Sequence, residues 1–233
     1  MKQYIFAICF LSAITLTVSA QNQFPSPRYG ASVVHYNDTA VYIYGGVIQE
    51  TSKSTSQQLT SELWHYNPSD CTFKKVVTTG DDLPDYRNGT PCVDLNTGRI
   101  IFIGGLRATP DNAFYSFDPL AYSVAKHSQQ PFSQRKGMSR WRTSYSSYLL
   151  TGGKSADGTV SGATYEFNTT NLTFTQKADI PQGTALYGHS TITDTLNNKA
   201  YIFGGLNGSE SNNFSCYEYN TQTNSWGFGP SIQ

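Results

Sequence analysis

The chain has 233 residues, 38% hydrophobic and 14% charged, with 16 basic residues against 16 acidic ones. That balance excludes a nucleic-acid or polyanion partner recruited by overall charge, and the length suffices for one well-cored domain. After residue 20 no run reaches 18 uninterrupted apolar residues, so no membrane span is expected in this chain.

Residues 1–20 read as a secretory signal peptide. Lys2 supplies a positive start, Tyr4 to Val18 are almost free of polar residues, and "VSA" puts small residues at −3 and −1 before Gln21. The expected destination is secretion or the cell surface, with one domain over 21–233. Cys9 leaves with the leader, so Cys71, Cys92 and Cys216 remain. In an oxidising compartment Cys71 and Cys92 are the expected pair, because they flank a single connection; three unpaired thiols are the alternative. The same route gives meaning to six N-x-S/T sequons, at Asn37, Asn88, Asn168, Asn171, Asn207 and Asn213. Asn67 precedes Pro68 and is disqualified.

From about residue 25 the chain repeats itself four times, over roughly 25–80, 81–130, 131–180 and 181–233. "AVYIYGG", "RIIFIGG", "SYLLTGG" and "NKAYIFGG" are strand-like runs ending on Gly45-Gly46, Gly104-Gly105, Gly152-Gly153 and Gly204-Gly205. Upstream stand Gly30, Gly89, Gly137 and Gly188, and two residues before three of these come Arg28, Arg87 and Arg135; Leu186 takes that place in the fourth copy. Each pair is followed by an aromatic run, "ELWHYNP", "AFYSFDP", "ATYEFNT" or "CYEYNT". Seven residues past its last aromatic stand Phe73, Val124, Phe174 and Trp226. Turn residues separate the two positions, as a hairpin requires. Each copy therefore predicts four short antiparallel strands, a to d, and no copy carries a helical period. "SRWRTSYSS" makes a poor strand a in copy three.

A repeat of about 50 residues with four strands is the pattern of a propeller blade. In its R-x-G, Gly-Gly, aromatic strand c and strand d aromatic, the chain resembles kelch-repeat proteins of the kelch and galactose-oxidase central-domain superfamily. The resemblance implies an all-β, kelch-type β-propeller with four four-stranded antiparallel blades. Family propellers usually have six or seven, so the four either close on themselves or form part of a larger propeller. The glycine pairs are expected to let strand b end sharply and a neighbouring backbone approach. Phe73, Phe174 and Trp226 are expected to pack between blades.

The full-length repeat, the leader and the lack of a chemical constellation point to a non-enzymatic extracellular module binding a protein or glycan ligand, with no cofactor and no metal; a purely structural, glycosylated coat or wall component is a further reading. Antiparallel geometry sets Arg28, Arg87 and Arg135 around one mouth of the channel, where related arginines bind acidic peptides through the planar guanidinium. The alternative is that each arginine ties down its own blade. The sequons at Asn88 and Asn207 and the polar insertion 49–62 share that mouth. The rival reading is a galactose-oxidase-like or other carbohydrate-active enzyme fragment whose catalytic site lies in missing blades. His35, His65, His127 and His189 occupy four different registers, and no catalytic or metal motif joins them.

Overall fold

The computed structural model describes residues 24–48, 58–109, 111–128, 130–181 and 184–230. The signal peptide expected at 1–20 and most of the 49–62 insertion lie outside that range. Among the described residues there is no helix. Four antiparallel sheets follow one another. Strands a to d are Ser32–Asn37, Ala40–Tyr44, Leu63–Asn67 and Thr72–Val76 in blade one, paired in the order a-b-c-d. In blade two they are Arg87–Val93, Ile100–Leu106, Phe114–Asp118 and Ser123–His127. Blade three runs Ser139–Ser144, Ser147–Thr151, Thr164–Asn168 and Thr173–Gln176. Blade four runs Ser190–Asp194, Lys199–Phe203, Cys216–Asn220 and Ser225–Phe228.

Two local expectations are corrected. "SRWRTSYSS" does form a strand a: Ser139 and Trp141 are buried, and a register shift between Arg142 and Ser144 absorbs the polar end. Thr79–Gly80, at the end of the first repeat, pairs in parallel with strand d of blade two and joins that sheet instead.

Alternation along each strand gives every blade two apolar faces. Tyr42, Tyr44 and Leu63 of blade one pack on Ile100, Phe102, Tyr115 and Phe117 of blade two. The opposite face of blade two, with Ile101, Ile103 and Phe114, packs on Tyr148, Leu150 and Phe167 of blade three. Trp141 and Leu149 of blade three meet Ala200, Ile202 and Tyr219 of blade four. At about 1.5–3 kcal/mol per fully buried large side chain, these faces dominate blade adhesion. The polar contacts decide register.

Those polar contacts form a belt on the inner strands. Gly30, Asn88, Gly137 and Gly188 all take the left-handed backbone conformation, with φ of 67°, 53°, 66° and 67°. One hydrogen bond joins them across each of the three blade boundaries: Asn88 N donates to Gly30 O (2.6 Å), Gly137 N to Asn88 O (3.4 Å), and Gly188 N to Gly137 O (2.8 Å). Two residues on, the hydroxyls of Ser32, Thr90 and Ser139 donate to the carbonyls of Gly89, Met138 and His189. The glycine pairs complete the device. A Cβ on Gly45, Gly104 or Gly152 would lie within 3 Å of a carbonyl of the next blade, from Tyr86, Arg135 or Leu186 respectively. Gly46 N and Gly153 N donate to the first and last of these at 2.6 and 2.8 Å.

Blade four presents the same half-contacts unfilled. Ser190 is exposed, no described residue lies within 4 Å of a Cβ on Gly204, and Ile192 is 58% accessible. On the other end face, Val33 of blade one is 55% accessible. The four described blades thus form an arc with two uncovered faces, not a closed ring. Phe73 lies on the uncovered face of blade one, against Phe24 and Tyr66, and is no inter-blade residue. Phe174 and Trp226 do sit between blades: Phe174 lies 5.5 Å from Phe114, and Trp226 lies 6.3 Å from Trp141.

The Cys71–Cys92 pairing is also corrected, since all three described cysteines are free. In strand a of blade two, Val93 faces blade one, so its neighbour Cys92 faces blade three, away from Cys71. Cys71 sits exposed in the c–d turn of blade one, while burial pushes the Cys92 thiol up to about 12.

Gly152→Ala and Gly204→Ala separate conformational from inter-blade roles. Both introduce a side chain at positive φ, costing about 1–2 kcal/mol; only Gly152→Ala also meets Leu186 O and the His189 ring. Urea unfolding should show a loss near that strain alone for Gly204→Ala and at least about 3 kcal/mol for Gly152→Ala. Equal losses would contradict the inter-blade role.

Candidate functional site

The belt positions what stands beside it. The residue just before each left-handed residue lies on the channel mouth shared with the b–c connections: Tyr29, Arg87, Lys136 and Tyr187. Ladder partners fix the equivalence. Tyr29 pairs with Val47, Arg87 with Leu106, Lys136 with Lys154 and Tyr187 with Leu206, each partner being the first residue after a glycine pair.

This register corrects the expected ring of three arginines. Arg28 and Arg135 precede Tyr29 and Lys136, whereas Arg87 is one residue out of step and is itself a mouth residue. The cause is Asn88. It tolerates the left-handed conformation and takes the belt position in blade two, so Gly89 moves one place along and Tyr86 becomes the counterpart of Arg28. A Cβ on Gly89 would run into the Tyr86 ring, which explains why glycine is still required there.

Alternation turns Arg28 and Arg135 into their own blades. The Arg28 side chain is 6% accessible; it donates to Gly45 O (3.2 Å) and Ser26 O (3.0 Å), and pairs with Glu62 at 2.6 Å. Burial would raise the Glu62 pKa, but hydrogen bonds from Lys75, Arg28 and Trp64 outweigh it and hold the carboxyl at about 2. Among the described residues Arg135 hydrogen-bonds only Ser161 Oγ, at 2.8 Å, and lies 5.0 Å from the Phe132 ring centroid, with its Nε buried without a partner. Burial lowers its pKa from the ordinary value. In blade two, with Tyr86 in the arginine's place, the guanidinium arrives from the other side. Arg107, 2% accessible, donates to Ala113 O (2.7 Å), pairs with Asp111, and lies over the rings of Tyr115 (5.0 Å) and Tyr86 (5.7 Å). These three guanidiniums anchor b–c connections. They are structural.

Arg87 differs. It donates no hydrogen bond among the described residues, and its Nε is buried without a partner. Lys136 also lacks an ion pair among the described residues. Its ammonium lies 5.9 Å from the Tyr187 ring centroid, and that of Lys154 lies 5.1 Å away. Glu210, from the b–c connection of blade four, reaches this group and bonds Lys154 Nζ and the Tyr187 hydroxyl. The mouth is thus cationic and aromatic, with Asn88 exposed on its rim. Tyr29, Lys136, Lys154, Tyr187 and Glu210 escaped the sequence reading. The legible signal was the middle residue of R-x-G, which strand alternation points opposite to the arginine.

The remaining sequons lie on turns. The side-chain oxygens of Asn37, Asn168, Asn171 and Asn207 accept backbone hydrogen bonds from the following residues, at 2.9 to 3.3 Å. Asn213 likewise accepts from Ser215 N (3.2 Å), and its amide nitrogen also donates to Gly204 O (3.0 Å) and Ser215 O (2.8 Å).

The histidines stay apart. His35 is exposed, His65 contacts Thr39 O at 3.2 Å, and His127 shares a 2.8 Å bond with Ser116 Oγ. Among the described residues no three His, Cys, Asp or Glu side chains converge as a metal site would require. His189 is buried beside Gly152 and Gly205, with neither ring nitrogen hydrogen-bonded among the described residues.

The motif-level and structural likenesses agree with this architecture. The Kelch motif family model matches residues 193–232, which carry strands b, c and d of blade four. No curated protein matches the chain. The solved structure of YjhT is similar over 89% of this chain and 72% of its own, with a TM-score of 0.72 at 15% identity. At that identity the likeness shows the fold: a kelch-type β-propeller.

His189 yields an acid test. Burial lowers its pKa to about 4, so between pH 6.5 and 4 the unfolded chain binds a proton that the folded chain does not. Stability falls as pH drops through that window, by about 3 kcal/mol in total. His189→Met, which copies Met138 at the equivalent belt position, should flatten that part of the stability–pH curve in urea titrations. An unchanged slope would show that His189 is not the group responsible.

Proposed function

We propose that this chain is a non-enzymatic recognition module, delivered by the secretory route to the cell surface or medium, which binds a protein or glycan ligand at the mouth formed by Tyr29, Arg87, Lys136 and Tyr187. Kelch-type propellers are protein-binding modules in general, and the finer reading rests on one observation. Arg87 is held at the mouth by its strand and belt neighbours, yet its Nε is buried without a partner and its guanidinium makes no hydrogen bond among the described residues. A guanidinium so placed matches an acceptor from outside. The rings of Tyr29 and Tyr187, at the equivalent positions of blades one and four, add apolar area at little entropic cost, the composition typical of binding hot spots. Export is supported by the leader at 1–20, and the turn placement of Asn37, Asn168, Asn171 and Asn207 suits carbohydrate attachment.

The full chain, expressed in a eukaryotic secretory host, should appear in the medium beginning at Gln21 and lose mass on enzymatic deglycosylation. Retention inside the cell with the leader intact would overturn the export reading. For the mouth, wild type and Arg87→Ala/Lys136→Ala are compared on arrays of extracellular proteins and glycans. Hits should weaken by about 10- to 100-fold, the loss expected from removing charge-assisted hydrogen bonds. Hits of unchanged affinity would place recognition elsewhere.

A further inference from the structure

The a–b turns lie at the end of the channel opposite the mouth, and those of blades two, three and four enclose a cleft of about 450 Å3 there. Leu95 of blade two, Tyr145 of blade three and Thr195 of blade four are among its walls. The cleft shares Arg142 and Thr193 with a polar recess of about 60 Å3, to which Trp141, Asp194, Asn198 and Lys199 also contribute. Its charged side chains are already engaged. Arg142 Nε donates to the Tyr148 hydroxyl (3.0 Å), Lys199 pairs with Glu218 (2.8 Å), and Asp194 accepts from the Asn197 amide (2.6 Å). The uncharged groups are not. Trp141 is 5% accessible, and its Nε1 is buried without a partner among the described residues. Asn198 takes the left-handed conformation, φ 55°, with its carbonyl held by Thr221 N (2.9 Å) and Thr221 Oγ1 (3.0 Å). Its side-chain amide, like the hydroxyls of Thr193 and Thr195, makes no hydrogen bond among the described residues. Above them Tyr145 is 73% accessible.

We infer that this cleft is a second binding site, and that its ligand is a neutral oligosaccharide. The site is separate from the mouth and does not depend on the mouth reading. A sugar presents what the cleft leaves unanswered: hydroxyls that donate and accept, and a C–H face to lie on an exposed ring. Tyr145 supplies the ring, while Asn198, Thr193 and Thr195 supply donors and acceptors. A hydroxyl oxygen seated in the recess is the acceptor that Trp141 lacks, and a buried N–H is seldom left without one. An anionic ligand gains little, because Arg142 and Lys199 are already bonded within the chain. A wholly apolar ligand would strip water from the free hydroxyls and amide and give nothing back. A peptide added as a strand needs an open backbone edge, whereas turn side chains wall this cleft.

Hexasaccharides of glucose, mannose and N-acetylglucosamine are titrated calorimetrically into the full mature chain after enzymatic deglycosylation, with a heparin-derived hexasaccharide as the charged control. At least one neutral hexasaccharide should bind. Tyr145→Ala, which removes an exposed ring, should weaken it roughly tenfold. Asn198→Gly keeps the left-handed backbone and removes the amide, and should weaken it about threefold to tenfold. Arg87→Ala/Lys136→Ala should bind the sugar as wild type does. Matched melting temperatures check that the variants are folded. Binding of none of the neutral hexasaccharides, or of the heparin fragment alone, would overturn the ligand class. Unchanged affinity in both Tyr145→Ala and Asn198→Gly would overturn the cleft as the site. If the mouth variant alone loses the sugar, recognition belongs to the mouth and the second site is refuted.

Discussion

Blades can stack only if their backbones come close at the inner edge, and L-residues resist the conformation this requires. The structure meets the constraint with one left-handed residue per inner strand and a glycine pair facing it across each blade boundary. Apolar faces supply most of the adhesion, but they are slippery; a Leu or Tyr side chain fits several offsets. The backbone bond from Asn88 to Gly30 and its two successors permit one offset. The mouth residues stand directly beside that belt, so their positions are set by the same bonds that set blade spacing.

Alternation then divides labour between adjacent positions. Arg28 and Arg135 point into their blades and hold the b–c connections, with Arg107 doing so in blade two. Their neighbours Tyr29, Lys136 and the displaced Arg87 face the mouth. A buried guanidinium is costly unless its donors are met by acceptors, and Arg28 and Arg107 each find a carboxylate as well as backbone carbonyls. Blade three answers the same need less fully, leaving Arg135 Nε unpartnered. Arg87, at the mouth, shares that lack, since its Nε is also buried without a partner among the described residues.

The two ends of the arc are complementary halves of one contact. Blade four offers the Ser190 hydroxyl, an open Gly204 and the Gly188 carbonyl, the groups that elsewhere engage a following blade. Blade one offers the amide of Gly30 and the carbonyls of Arg28 and Ala31, which elsewhere engage a preceding one. Exposed apolar residues at both ends, Val33 and Ile192, mark surfaces of the kind that propellers bury.

Period, composition and turn chemistry determined the all-β class, four copies of four strands and the need for glycine after each strand b. These follow from local patterns that recur about every 50 residues, and no tertiary information is needed to extract them. Which neighbour a side chain meets was a different matter. A single residue of register in blade two, absorbed by an asparagine able to take glycine's conformation, exchanged Tyr86 for the expected arginine and moved Arg87 to the mouth. The same strand alternation turned Cys92 away from Cys71. Tertiary structure alone decided these, because strand faces invert with every residue, and only contact with the next blade reveals which parity each strand has taken.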